Sequence, residues 1–188
     1  MDKILIFLSR PNPFIEIQQK FLEQLKKKLS EKKMLPVSLQ AANYDLTDSI
    51  NYISGIIKQC YGIIIVGFKQ YFIEKGCKKK GGKLSEIYDF YFPEEIDVSN
   101  QGITSPFCHI EGTIGILNNL PMFILNEKTV REEGVIQGGR FSIKAPEFLL
   151  TDEKAIVQYF TSEDFEQLFD VWYGKVLELY RFLNLKKI

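Results

Sequence analysis

Apolar positions along the chain alternate between two patterns. Short continuous runs, KILIFLS (residues 3–9) and YGIIIVGF (61–68), have the length and composition of strands covered on both faces. Between them, Phe14, Ile17, Phe21, Leu25 and Leu29 recur at helical spacing among lysines and glutamates, which predicts a helix over 14–33 with one buried stripe. MLPVSL (34–39) reads as a second strand, and Pro36 within it favours a sheet edge. Thr47 can cap a helix carrying Ile50, Ile53 and Ile57. The strand-helix-strand-helix-strand order predicts a parallel sheet with helices on both faces and YGIIIVGF at its centre. Ligands of such sheets sit at the carboxyl ends of the strands.

The pattern breaks over 69–104. KGCKKKGGK is rich in lysine and glycine, and YDFYFPEEIDVSNQG is aromatic and acidic, so this segment reads as an irregular functional loop or insertion. A helix over 105–119 follows, with Ser105 as its N-cap, Pro106 in its first turn and Phe107, Ile110, Ile114 and Leu117 as its core stripe. PMFIL (121–125) reads as a strand, 126–140 as a polar loop with one helical turn, and FSIKAPEFLL as an edge strand. A long helix over 162–184 closes the chain, with Phe165, Leu168, Phe169, Trp172, Val176, Leu179 and Leu183 on one face. Nothing in the pattern divides residues 1–188, so one domain is expected.

Composition narrows the class. The 188 residues are 45% hydrophobic and 13% aromatic, enough for one domain with a packed core. Lys+Arg and Asp+Glu are both 24, so charge gives no reason to expect nucleic acid or an anionic membrane as partner. The first apolar run is too short for a secretory signal, and no run reaches membrane-spanning length. Cys60, Cys77 and Cys108 are widely spaced and odd in number, which suits a reducing cytoplasm. They form no Cys/His ligand pattern, so no metal site is expected.

The candidate chemistry gathers in TSPFCHIEGTIGILNNLPMFIL (104–125). Glu111 lies about 100° around the helix from Ile110 and shares a face with Cys108 and Gly115. Two readings are open. The carboxylate could point into a pocket left by small neighbours, or it could be exposed beside glycines that let the helix pack closely. His109, the single histidine, lies nearly opposite Glu111 and reads as a surface histidine or one behind the site. GCKKKGGK has a glycine spacing like that of a phosphate loop, but Gly82 stands where the lysine is needed, and the match fails. In SRPNP, Arg10 could pair a phosphate and Asn12 a ribose or phosphate; a rigid proline turn is an equal reading. Asp45 could hold ribose hydroxyls or form a turn before Thr47.

SPFCHIEGTIGILNNLPMFIL resembles the SPWC-x-x-E-L box of Toll/interleukin-1 receptor (TIR) domains, through Ser105, Pro106, Phe107, Cys108 and Glu111. It is also similar to the helix of nucleoside 2-deoxyribosyltransferases, where a glutamate precedes glycine and a proline-led strand. The resemblance covers about residues 3–126. It implies a flavodoxin-like α/β fold and a glutamate, here Glu111, acting at the C1′ carbon of a ribose. It further implies that Ser9, Arg10, Asn12, Asp45, Ser105 and Cys108 line a nucleotide site, with Phe68 or Tyr71 stacking on a ring.

Glycosidases normally need a second carboxyl group to protonate the leaving oxygen. The nicotinamide of NAD leaves as a neutral base from a cation, so one glutamate suffices. The expected function is therefore NAD cleavage by a cytoplasmic TIR-like enzyme. NAD would be the substrate rather than a cofactor, and the product would be hydrolysed or rearranged ADP-ribose. The resemblance implies a role in bacterial antiviral defence, and a homo-oligomer or an assembly with a partner protein. The alternatives are a nucleoside or nucleotide N-glycosidase or 2-deoxyribosyltransferase, and a non-catalytic TIR-like assembly module.

Overall fold

β1 (Ile4–Ser9) is the first strand expected from the sequence, and α1 (Glu16–Glu31) follows it. Then come β2 (Met34–Val37), α2 (Ser49–Ile57) and β3 (Gly62–Gly67). Four short strands lie beyond: β4 (Tyr71–Ile73), β5 (Cys77–Lys78), β6 (Ile96–Asp97) and β7 (Gln101–Ile103). The chain continues with α3 (Pro106–Leu117), β8 (Met122–Asn126), a 3₁₀ turn (Gly134–Gln137), β9 (Ser142–Lys144), α4 (Glu153–Phe160) and α5 (Glu163–Leu185). The structure is a computed structural model that describes residues 3–39, 49–82, 94–140 and 142–185. Asp45 and Thr47 lie outside the described residues.

β2, β1, β3, β8 and β9 form one sheet in that order, and every pairing is parallel. Counting only these five strands, the order is the 2-1-3-4-5 of flavodoxin-like folds. The β2 strand with Pro36 is at an edge and β3 is central, as the sequence predicts. The alternation within each strand sends side chains to two cores. Ile6, Leu8, Ile64, Val66, Phe123 and Leu125 meet α1, α4 and α5 on one face. Phe7, Ile63, Ile65, Met122 and Ile124 meet α2 and α3 on the other.

The α5 helix comes very close to the sheet at Gly62. A Cβ there would lie 2.7 Å from Val176 Cγ2 and 3.1 Å from Trp172 Cζ2. The fully buried Trp172 indole is fixed by donating from Nε1 to the Pro121 carbonyl at 3.0 Å. Gly62→Ala is therefore expected to cost about 1–3 kcal/mol through overpacking, measured by urea denaturation. Unchanged stability would show that α5 can shift away from β3 at little cost.

Three sequence expectations need correction. The 69–104 segment is not wholly irregular: β4 pairs antiparallel with β7, and β5 with β6. This arm is tied to the loop after β8 by Gly102, whose N–H donates to the Thr129 carbonyl and whose carbonyl accepts from Arg131 N, both at 2.8 Å. The α4 helix was not anticipated; its short apolar pattern, with Ile156 and Phe160 buried, was hidden beside the longer helix after it. The third correction concerns α3. Phe107, Ile110 and Leu117 are exposed, while Cys108, Glu111, Gly112 and Gly115 are buried, Gly115 against β3 and Gly112 against the 3₁₀ turn. Three of the four residues of the expected stripe thus lie on the outer face of this helix, while Ile114 is half-buried against the core. Among the described residues, no helix is long and apolar enough to cross a membrane.

Candidate active site

The strand order reverses between β1 and β3, where one neighbouring connection goes to β2 and the other to β8. Open parallel sheets bind ligands at the carboxyl ends of the strands beside such a reversal. Ser9 is the last residue of β1, in register with Ile65 of β3. Phe7 belongs to the core under α2 and α3, so Ser9, two residues on, faces the same side. There it lies beneath α3.

α3 is placed by local chemistry. The Ser105 hydroxyl accepts from Phe107 N at 3.3 Å, and Pro106 sits in the first turn without an N–H to satisfy. The N-cap expected from the sequence is present. Since this hydroxyl is engaged in the cap, Ser105 fixes the helix start. Ser105→Ala is expected to lower stability by about 1 kcal/mol in thermal or urea denaturation. Gly115 lets the helix rest on β3: a Cβ would lie 3.0 Å from Ile63 Cδ1. At Gly112 a Cβ would lie 2.6 Å from Val135 Cγ1, on the loop after β8. Both glycines serve close packing, which corrects the reading of open space left around the carboxylate by small neighbours.

Glu111 itself is not exposed. It is 5% accessible, and it is the only buried carboxylate among the described residues. Burial pushes its carboxyl up to about 7, against the Ser9 hydroxyl and the Arg10 guanidinium, which favour the charged form. The Ser9 hydroxyl, 1% accessible, faces both Glu111 and Cys108, with neither contact at full hydrogen-bond geometry. Cys108 is fully buried, and burial together with the Glu111 charge pushes its thiol up to about 12. Its Sγ lies 3.9 Å from the Val66 carbonyl at the end of β3 and 4.0 Å from Thr104 Oγ1. Cys108 is therefore a buried neutral thiol between α3 and β3 and not a thiolate nucleophile.

The other expected residues separate into distinct positions. Arg10 Nη1 donates to the Pro11 carbonyl at 3.1 Å and to Asn12 Oδ1 at 3.4 Å. The SRPNP turn thus orders itself around Arg10 while its positive charge reaches Glu111. Phe68 is a correction: it is fully buried on the α1 face, with its ring centroid 5.6 Å from that of Phe21 and 5.9 Å from that of Phe148. It cannot stack on a ligand at the Glu111 face. Tyr71 is 65% exposed on β4, in the arm.

Sequence reasoning missed Asn126, fully buried at the carboxyl end of β8. Its Nδ2 donates to the Val130 carbonyl at 3.0 Å, and its Oδ1 has no partner among the described residues. Gly67 stands opposite in the ladder, where a Cβ would lie 2.5 Å from that oxygen. The signal was a polar residue ending an otherwise apolar strand run. No group of three or more His, Cys, Asp or Glu side chains that could hold a metal ion occurs among the described residues.

No protein-family model matches the chain, and no curated protein sequence matches it. Among solved structures it is similar to the Clostridium botulinum CMP N-glycosidase BcmB, with a TM-score of 0.47 and 17% identity, covering 82% of this chain and 94% of that one.

Proposed function

We propose that the chain cleaves the N-glycosidic bond of a nucleotide, with Glu111 acting at the anomeric carbon and NAD as the substrate. The observation that carries this reading is a carboxylate, the single buried one among the described residues, at the carboxyl end of β1 and flanked by Ser9 and Arg10. In NAD, the C1′–N bond breaks with its electron pair passing to the nicotinamide nitrogen, which becomes neutral. The oxocarbenium character left on the ribose is stabilised by ionised Glu111 in a site shielded from water. Water then adds to C1′, and its proton goes to solvent or to the carboxylate. No acid is required for the leaving group, which suits a site with one buried carboxylate among the described residues. The cationic nicotinamide ring also favours the ionised form of Glu111 on binding. Arg10 is suited to a phosphate of the substrate. Assembly into a homo-oligomer belongs to this proposal, so assays are best run on concentrated protein.

One observation favours a second reading. A carboxyl held at about 7 is half protonated near neutrality and could donate a proton to the departing base of a neutral nucleoside or nucleotide. The two readings differ in the sign of their pH dependence. For NAD, kcat/KM is expected to rise with pH and level off above about 7, because the ionised carboxylate is the active form. For a neutral substrate that needs the acid, the rate would instead fall above about 7. The test is a panel of NAD, nucleosides and nucleoside monophosphates, with free base followed by chromatography across pH 5 to 9, a span set to bracket about 7. Nicotinamide release with the rising limb supports NAD cleavage. Release of another base with the falling limb supports the second reading. No base released from any substrate overturns both.

A further inference from the structure

A cavity of about 310 Å³ lies on the far side of α3 from Ser9, between that helix, the 3₁₀ turn and the start of β9. Its volume is at the lower end of small-ligand sites. Ile116, Met122 and Val135 supply apolar wall, while His109 and Arg140 supply the nitrogen groups. Among the described residues, no carboxylate lines it. Neither the His109 ring nor the Arg140 guanidinium has a hydrogen bond or ion pair among the described residues. The neighbouring cations are engaged: Lys144 pairs with Glu132, and Arg131 with Glu133. The hydroxyls in the cavity are engaged too, since Thr113 Oγ1 donates to the His109 carbonyl at 2.8 Å and Ser142 Oγ accepts from Gly139 N at 2.8 Å. The His109 ring is held against backbone, because a Cβ on Gly134 would lie 2.7 Å from Nδ1. Gly134 has a φ of 53°, so other residues are disfavoured there twice over.

We infer that this cavity is a second binding site, for a small organic oxyanion whose charged end meets Arg140 and His109 and whose apolar body lies on Ile116, Met122 and Val135. An Arg guanidinium matches the geometry of phosphate and carboxylate alike. The site is separate from the Glu111 site and does not depend on the glycosidase reading.

The chain's single histidine makes the test specific, since the imidazole C–H signal in an NMR spectrum reports His109 alone. The full chain is titrated with phenyl phosphate, benzoate and, as a neutral control, benzyl alcohol. A saturable displacement of the His109 signal by phenyl phosphate or benzoate is expected, and the stronger of the two identifies the anion as phosphate or carboxylate. Arg140→Ala, an exposed change, is expected to weaken that binding at least about tenfold, whereas Glu111→Gln leaves it unchanged. No displacement by either anion overturns the inference. So does equal displacement by benzyl alcohol, persistence of binding in Arg140→Ala, or loss of binding in Glu111→Gln.

Discussion

At pH 8 the Glu111→Gln variant is expected to be more stable than the parent chain by about 3 kcal/mol. The figure follows from a carboxyl held at about 7 in the fold against an ordinary 4.5, at 1.36 kcal/mol per pH unit. The sign follows from proton binding. Between 4.5 and about 7 the folded chain holds a proton that the unfolded chain has lost, so stability falls as pH rises through that window. Above about 7 both states are ionised, and the full cost of a buried charge is present. Glutamine keeps the shape and removes the charge, so its advantage grows from near zero below 4.5 to its maximum above about 7. Urea denaturation of both proteins at pH 4.5 and pH 8 measures this. A variant less stable than the parent at both values would show that the carboxylate is well solvated or tightly paired in the fold.

The same substitution is expected to lower kcat/KM for NAD cleavage by about 10³-fold or more. Removing one well-placed electrostatic group from an enzyme site costs about 10²–10³, and loss of a proton-transfer group about 10²–10⁴. Glu111 would stabilise the ribosyl cation and could also accept the proton of the attacking water, so the higher end applies. An amide can do neither. Gain of stability with loss of turnover is the pattern of a residue kept for function at a cost to the fold. Steady-state nicotinamide release by both proteins tests it. A loss of less than about tenfold would place the chemistry on another residue.

Much of the architecture was legible because parallel strands buried on both faces leave unmistakable apolar runs. KILIFLS and YGIIIVGF became β1 and the central β3, and Pro36 marked an edge. Ser105 and Pro106 marked the start of α3, because capping is a local interaction that needs no tertiary partner. The face of α3 was not legible. Periodicity assigns the core to the apolar side, yet this helix turns Phe107, Ile110 and Leu117 outward. Its glycines dictate the contact instead, because only they permit the approach of Ile63 and Val135. Glu111 is carried inward by that choice. The sequence left open whether the glutamate was exposed or pocketed and whether the glycines made space or contact. In the fold the glutamate is buried and the glycines make contact. Phe68 and Asn126 show the same limit, since the side of the sheet that a residue at or just past a strand end occupies depends on the elements packed there.

The central claim is that Glu111 breaks an N-glycosidic bond. Its most direct test is nicotinamide release from NAD at pH 8 by concentrated parent protein and concentrated Glu111→Gln, each shown to be folded by its denaturation curve. Release by the parent, and none above background by a variant that is folded and more stable, is expected. Release at the parental rate by that folded variant would contradict it.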